Sequence, residues 1–172
     1  MNASWEPQGK TTKAGFQSHP NLFDRPTGNL AVLADMITKE LGRFKSKMGA
    51  DNGRIFTKWP NTIKLAAWYV KLLQSGHQDS HIHPSGWVSG VVYLKTVKSP
   101  QQNEGAIEFG LQGYDYVKIK DQVPTKLHQP VDGDIVLFPS SLFHRTVPVL
   151  QDVERCVIAF DLVGAAVDQR GK

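Results

Sequence analysis

The sequence predicts a mainly β fold, a double-stranded β-helix (jelly roll) with an N-terminal helix packed on it. Three observations carry this. From Thr62 onward, short β-favouring segments succeed one another, most of them separated by Gly, Pro or Asn breaks. One earlier segment, Asn29 to Met48, has helical periodicity. No internal repeat or low-complexity tract points to a solenoid or a linker.

Residues 1–28 are polar and rich in Gly, Pro, Asn and Gln, and read as an extended lead-in to a single domain spanning 29–172. In the helix, Leu30, Leu33, Ile37, Leu41 and Phe44 recur at spacings of three and four and make one apolar stripe. Asp35, Lys39, Glu40 and Arg43 fall off that stripe and should face water, with Asn29 as N-cap and Gly49 as the stop. Gly42 inside the pattern weakens the helix by about 1 kcal/mol relative to alanine. The predicted strands are Thr62 to Leu73, Val88 to Val97, Ala106 to Phe109, Tyr114 to Ile119, Ile135 to Phe138, Phe143 to Val149 and Arg155 to Val163.

Composition sets the limits on function. The chain is 40% hydrophobic and 21% charged, ordinary for a soluble globular domain. No apolar run approaches a membrane span, and Met1-Asn2-Ala3-Ser4-Trp5 does not begin a signal peptide. Cys156 is the sole cysteine, so no internal disulfide forms, which favours a reducing, cytoplasmic location. The net charge of +4 suits anionic ligands. Its basic residues (Lys45, Lys47, Lys58, Lys118 and Lys120 among them) are dispersed without interleaved aromatics, so nucleic acid is not the expected partner.

The chemistry sits in His81-Ile82-His83-Pro84, with His144 and Arg155 downstream. Histidines at i and i+2 on a strand point to one face, and a third imidazole from a later strand completes a three-point metal grip. Such a grip leaves coordination positions open for ligands, and imidazole suits iron. In non-haem Fe(II) oxygenases the third donor is usually a carboxylate, whereas the corresponding slot here is His83, which makes three histidines the leading metal set. His77-Gln78-Asp79 offers a literal His-x-Asp just upstream and stands as the rival pair. A lone histidine here would be read as a surface residue before a turn; three histidines followed by an arginine are read as a site.

A two-residue turn at Gln151-Asp152 would pair Leu150 with Val153 and Pro148 with Arg155. His144 and Arg155 would then point inward, roughly 13 Å apart along neighbouring strands, which is room for a five-carbon diacid. Arg155 would grip its far carboxylate bidentately. Val157 and Ala159, small and on the same face, would leave it space, while Cys156, Ile158 and Phe160 face the opposite way as core.

The run from His81 to Leu94 (His-Ile-His-Pro-Ser-Gly-Trp-Val-Ser-Gly-Val-Val-Tyr-Leu) resembles the signature of a 2-oxoglutarate- and Fe(II)-dependent oxygenase family, distantly similar to prolyl hydroxylases. Gly133 to Ser140, then His144, Pro148, Arg155 and Ala159-Phe160, continue the resemblance over roughly residues 62 to 163. It implies His81, His83 and His144 as metal ligands, Arg155 as the anchor of 2-oxoglutarate, and Tyr93 as a second cosubstrate contact or a core tyrosine. Many relatives carry a hydroxyl residue two positions after the arginine, a secondary cosubstrate contact; this chain departs from that pattern with Val157.

The expected function is Fe(II)- and 2-oxoglutarate-dependent hydroxylation of a C–H bond in an unidentified small molecule or peptide. Trp87, Trp59 and the loop Pro100 to Gly105 are candidates for the substrate mouth, or else packing elements. The rivals are a cupin-like three-histidine dioxygenase that uses no 2-oxoglutarate, and a jelly-roll module that holds metal without turnover.

Overall fold

The structure is a computed structural model that describes residues 3–49, 59–98, 100–110, 112–113 and 124–164. Its elements are β1 (Ala3–Trp5), β2 (Thr12–Ser18), α1 (Asn29–Gly49), β3 (Ile63–His81), β4 (Val88–Lys95), β5 (Ile107–Gly110), β6 (Lys126–His128), β7 (Ile135–Pro139), β8 (Phe143–Thr146) and β9 (Arg155–Gly164). All nine strands belong to one curled antiparallel sheet in the order β6-β5-β8-β3-β9-β4-β7, with β2 on β3 and β1 on β2. The mainly β, jelly-roll expectation with one packed helix is met. The expected strand Tyr114 to Ile119 lies outside the described residues.

The segment read as a lead-in is extended, and two of its stretches are strands of the sheet, β2 pairing with β3. The helix begins at Asn29 itself, so its cap falls one residue earlier than expected: Gly28, at φ 55°, accepts the bond from Val32 N. Ile37 and Leu41 on the apolar stripe are fully buried, each contributing about 1.5–3 kcal/mol. Asp35–Lys39 and Glu40–Arg43 form ion pairs on the water-facing side.

β3 organises the fold. Its first part, Ile63 to Leu72, pairs with β9, while Gln78 and His81 near its end pair with β8. Between them the chain bends at Ser75 (φ 67°) and Gly76, where Val149 bonds the backbone of both residues. A Cβ on Gly76 would lie 2.6 Å from Leu73 O and 2.8 Å from Ala14 O, so the bend requires glycine. One strand thus serves both halves of the roll.

Alternation divides the core in two. Trp68, Val70, Leu72, Val91, Tyr93, Val157 and Ala159 fill the interior of the curled sheet. Ala67, Val88, Val92, Ile158, Phe160 and Leu162 face outward and pack against Ile37 and Leu41 of α1. Trp59 and Trp87, partly buried, pack against this outer cluster, which is the packing alternative weighed for them.

Candidate metal centre

His81 ends β3 and pairs directly with His144 on β8, which sets their rings side by side with centroids 4.3 Å apart. His83 lies two residues past His81, just beyond the strand, and its N–H donates to Ser140 O at 2.9 Å. Its ring centroid is 5.0 Å from each of the other two. One donor atom from each imidazole lies within 4.8 Å of the others, the spacing of a metal site.

The Nδ1 atoms of all three rings already have partners. His81 Nδ1 is 2.6 Å from Asp79 O, His144 Nδ1 is 3.0 Å from Leu142 O, and His83 Nδ1 is 2.6 Å from Asp161 Oδ1. Each Nδ1–H donates outward, which leaves the Nε2 lone pair available to a metal. Burial pushes His81 down to about 4. Burial, then the neighbouring His81, pushes His144 down to about 3. Both are therefore neutral near pH 7, the form that binds metal.

The rival His77 and Asp79 are brought together elsewhere: His77 Nε2 lies 3.4 Å from Asp79 Oδ1, with the Asp79 side chain 55% exposed. Among the described residues, the three histidines are the only cluster of metal-binding side chains.

Arg155 and His144 line one pocket, though not by the expected route. β8 pairs with β3 and β5, and β9 with β3 and β4, so the expected Leu150–Val153 hairpin does not form. Pro148 was the signal against it, because proline has no N–H for a ladder. The connection is held instead by Glu104, a fully buried carboxylate that accepts from Leu150 N at 2.6 Å and Gln151 N at 3.0 Å. The loop carrying Glu104, considered for the mouth, is thus a clamp beneath the arginine.

Arg155 is 2% exposed; its Nε donates to Gly105 O at 2.9 Å and its guanidinium sits 5.1 Å above the Tyr93 ring. Burial lowers the Arg155 pKa and raises that of Tyr93. Among the described residues, one terminal guanidinium nitrogen of Arg155, the Tyr93 hydroxyl and the Trp68 indole N–H are buried without a hydrogen-bond partner. Unpaired buried donors cost about 1–3 kcal/mol each, so the pocket lined by Arg155 and Trp68 is suited to an acceptor. Val157 and Ala159 line the same space, as the alternation predicted. The free volume is only about 20 Å³, so an elongated ligand must move side chains aside. A wider groove of about 460 Å³ opens on the other side of Trp68 and His83, bordered by Lys10, Thr11, Gln17 and Gln78.

Residues 66–161 match the model of a family described as "Putative 2OG-Fe(II) oxygenase". The chain belongs to this family. Membership makes it a 2-oxoglutarate-dependent dioxygenase, with Fe(II) and 2-oxoglutarate as the family's cofactor and cosubstrate. No curated protein matches its sequence. Among solved structures, a Trichoplax adhaerens prolyl hydroxylase in complex with a hypoxia inducible factor peptide fragment aligns at TM-score 0.62 and 14% identity, over 94% of this chain and 70% of that one. A Pseudomonas putida prolyl-4-hydroxylase aligns at 0.59 and 16%, over 94% and 78%. HygX from Streptomyces hygroscopicus, with nickel and 2-oxoglutarate bound, aligns at 0.58 and 13%, over 96% and 74%. At these identities the likeness is one of fold.

Several features of the oxygenase escaped sequence reasoning. Asp161 is one: extending the inward face of β9 from Arg155, Val157 and Ala159 by one more step reaches it. Trp68 and the groove beside β2 are others, and no local motif marks them. No helix among the described residues is long and apolar enough to cross a membrane.

Proposed function

We propose that this oxygenase hydroxylates a C–H bond of a small molecule or peptide, with Fe(II) held by His81, His83 and His144 and 2-oxoglutarate anchored by Arg155. The observation that carries it is the joining, in one buried pocket, of three Nδ1-anchored imidazoles and an arginine with an unpaired donor. Bound iron and 2-oxoglutarate would activate molecular oxygen, one oxygen atom ending in succinate as carbon dioxide leaves and the other in the hydroxylated substrate.

The chain's own residues bind, orient and exclude water. The imidazoles present their Nε2 atoms, with rotation blocked by the outward bonds of Nδ1. Arg155, steered by Gly105 O and stacked over Tyr93, directs its free N–H toward a carboxylate, and the Tyr93 hydroxyl offers a second donor. Val157, Ala159 and Phe138 keep that carboxylate out of water, which strengthens the ion pair. The groove beyond Trp68 and His83 is the place for the substrate, and its Lys10, Thr11, Gln17 and Gln78 suit a polar one. The Trichoplax enzyme's peptide and the hygromycin B bound by HygX frame the range of sizes.

Anaerobic titration of the Fe(II)-loaded protein with 2-oxoglutarate tests this directly. A saturable visible charge-transfer band that weakens sharply in Arg155→Ala is expected. Iron bound with no such band would end the proposal.

A further inference from the structure

His83 differs from the other two imidazoles in what holds it. Backbone carbonyls receive His81 and His144, but a carboxylate receives His83: its Nδ1 lies 2.6 Å from Asp161 Oδ1. That carboxylate is held in turn. Ser89 Oγ lies 2.6 Å from the same oxygen, 2.8 Å from Ser140 Oγ and, at a longer 3.1 Å, beside His83 Nδ1 itself. A single set of protons satisfies the chain: His83 Nδ1–H and the Ser89 hydroxyl donate to Asp161, and the Ser140 hydroxyl donates to Ser89.

The network is closely built. Asp161 pairs across the sheet with Ala66 and with Ser89, and its side chain is only 13% exposed. Ser89 and Ser140 are fully buried. A Cβ on Gly86 would sit 2.5 Å from Ser140 Oγ, so the turn after His83 closes directly onto the serine. A carboxylate at an inward-facing position of β9 is costly unless paired, and its partners here are a candidate metal ligand and a supporting hydroxyl.

A two-histidine, one-carboxylate set places its negative charge directly on the iron. In this chain the corresponding donor is His83. We propose that Asp161 is a positioning residue that supplies the displaced carboxylate one bond further out. Through His83 Nδ1 it fixes the ring with Nε2 free and raises that nitrogen's strength as a donor to a divalent metal. Ser89 and Ser140 hold Asp161 in place. This inference rests on the three-histidine site proposed above.

The test is equilibrium binding of Co(II) alone to the apoprotein, read from its visible d–d absorption, alongside the melting temperature of each apoprotein. Asp161→Asn should weaken Co(II) binding by about 10–100-fold with the apoprotein still folded, and Asp161→Glu should recover part of the loss. In a His83→Asp background, which returns a carboxylate to the metal, adding Asp161→Asn should no longer weaken binding. A purely structural Asp161 would weaken it equally in both backgrounds, and that result overturns the proposal. Wild-type affinity in Asp161→Asn overturns it too, while leaving the three-histidine site intact. If wild type binds no Co(II), or His81→Ala binds it as well as wild type, the site itself is wrong. Should Asp161→Asn fail to fold, Ser140→Ala, whose hydroxyl reaches the network only through Ser89, decides: a several-fold loss supports the proposal, and unchanged affinity overturns it.

Discussion

The two faces of β9 solve opposite problems. Outward, Ile158, Phe160 and Leu162 pack with Val88, Val92 and the helix into a wholly apolar layer. Inward, Arg155 and Asp161 share the face with Val157 and Ala159, and buried donors there lack partners among the described residues. The outer face therefore stabilises the fold, while the inner face gives up stability to remain ready for ligands. The two functions are separable because strand side chains alternate, and each prediction below probes that separation.

The largest effect is expected at the histidines. His144→Ala should abolish metal binding and turnover, more than 100-fold, yet leave the apoprotein cooperatively folded by circular dichroism, since the outer layer is untouched. An apoprotein that loses its melting transition would show that the faces are not independent. Next comes Phe160→Ala, which should cost about 3–5 kcal/mol in urea unfolding while Co(II) affinity stays within a few-fold of wild type. A large loss of affinity would mean that the outer layer sets the site's geometry.

Arg155→Met should remove 2-oxoglutarate binding, by about 100-fold, yet keep the apoprotein's melting temperature the same or raise it. A buried charge with an unpaired donor is replaced there by an apolar chain of similar length. A melting temperature lowered by many degrees would show that the bond to Gly105 O outweighs the buried charge. Gly90→Ala should cost about 1–3 kcal/mol, because the new Cβ would lie 2.2 Å from the Phe160 ring.

The pH response is the subtlest. His81 and His144 are held down to about 4 and about 3, so the unfolded chain takes up protons first as pH falls through its ordinary histidine range, near 6.5. Apoprotein stability should be level above about pH 7 and fall from about 6.5 toward 4. His144→Gln should flatten that fall in urea melts at stepped pH. An unchanged slope would place its origin outside the site.

The helix was legible because Leu30, Leu33, Ile37, Leu41 and Phe44 must share one side of any helix they form. All six expected strands that fall on described residues begin within one residue of their observed start, and the alternation of Arg155 to Phe160 along β9 was legible. Thr62 to Leu73 was read too short, since the strand runs through the bend at Ser75 and Gly76 to His81. β1, β2 and β6 were missed, because two are three residues long and β2 is polar.

By itself, the sequence determined the helix, the starts of six strands, the alternation along β9 and the histidines and arginine to consider for a site, because periodicity and motif spacing can be read along the chain. The tertiary structure alone decided that β8 and β9 flank β3 and do not pair with each other, that Glu104 clamps the loop between them, and that Asp161 reaches His83. Those are contacts between residues 46, 47 and 78 positions apart. No local pattern encodes them; the path of β3 through both halves of the roll brings them together.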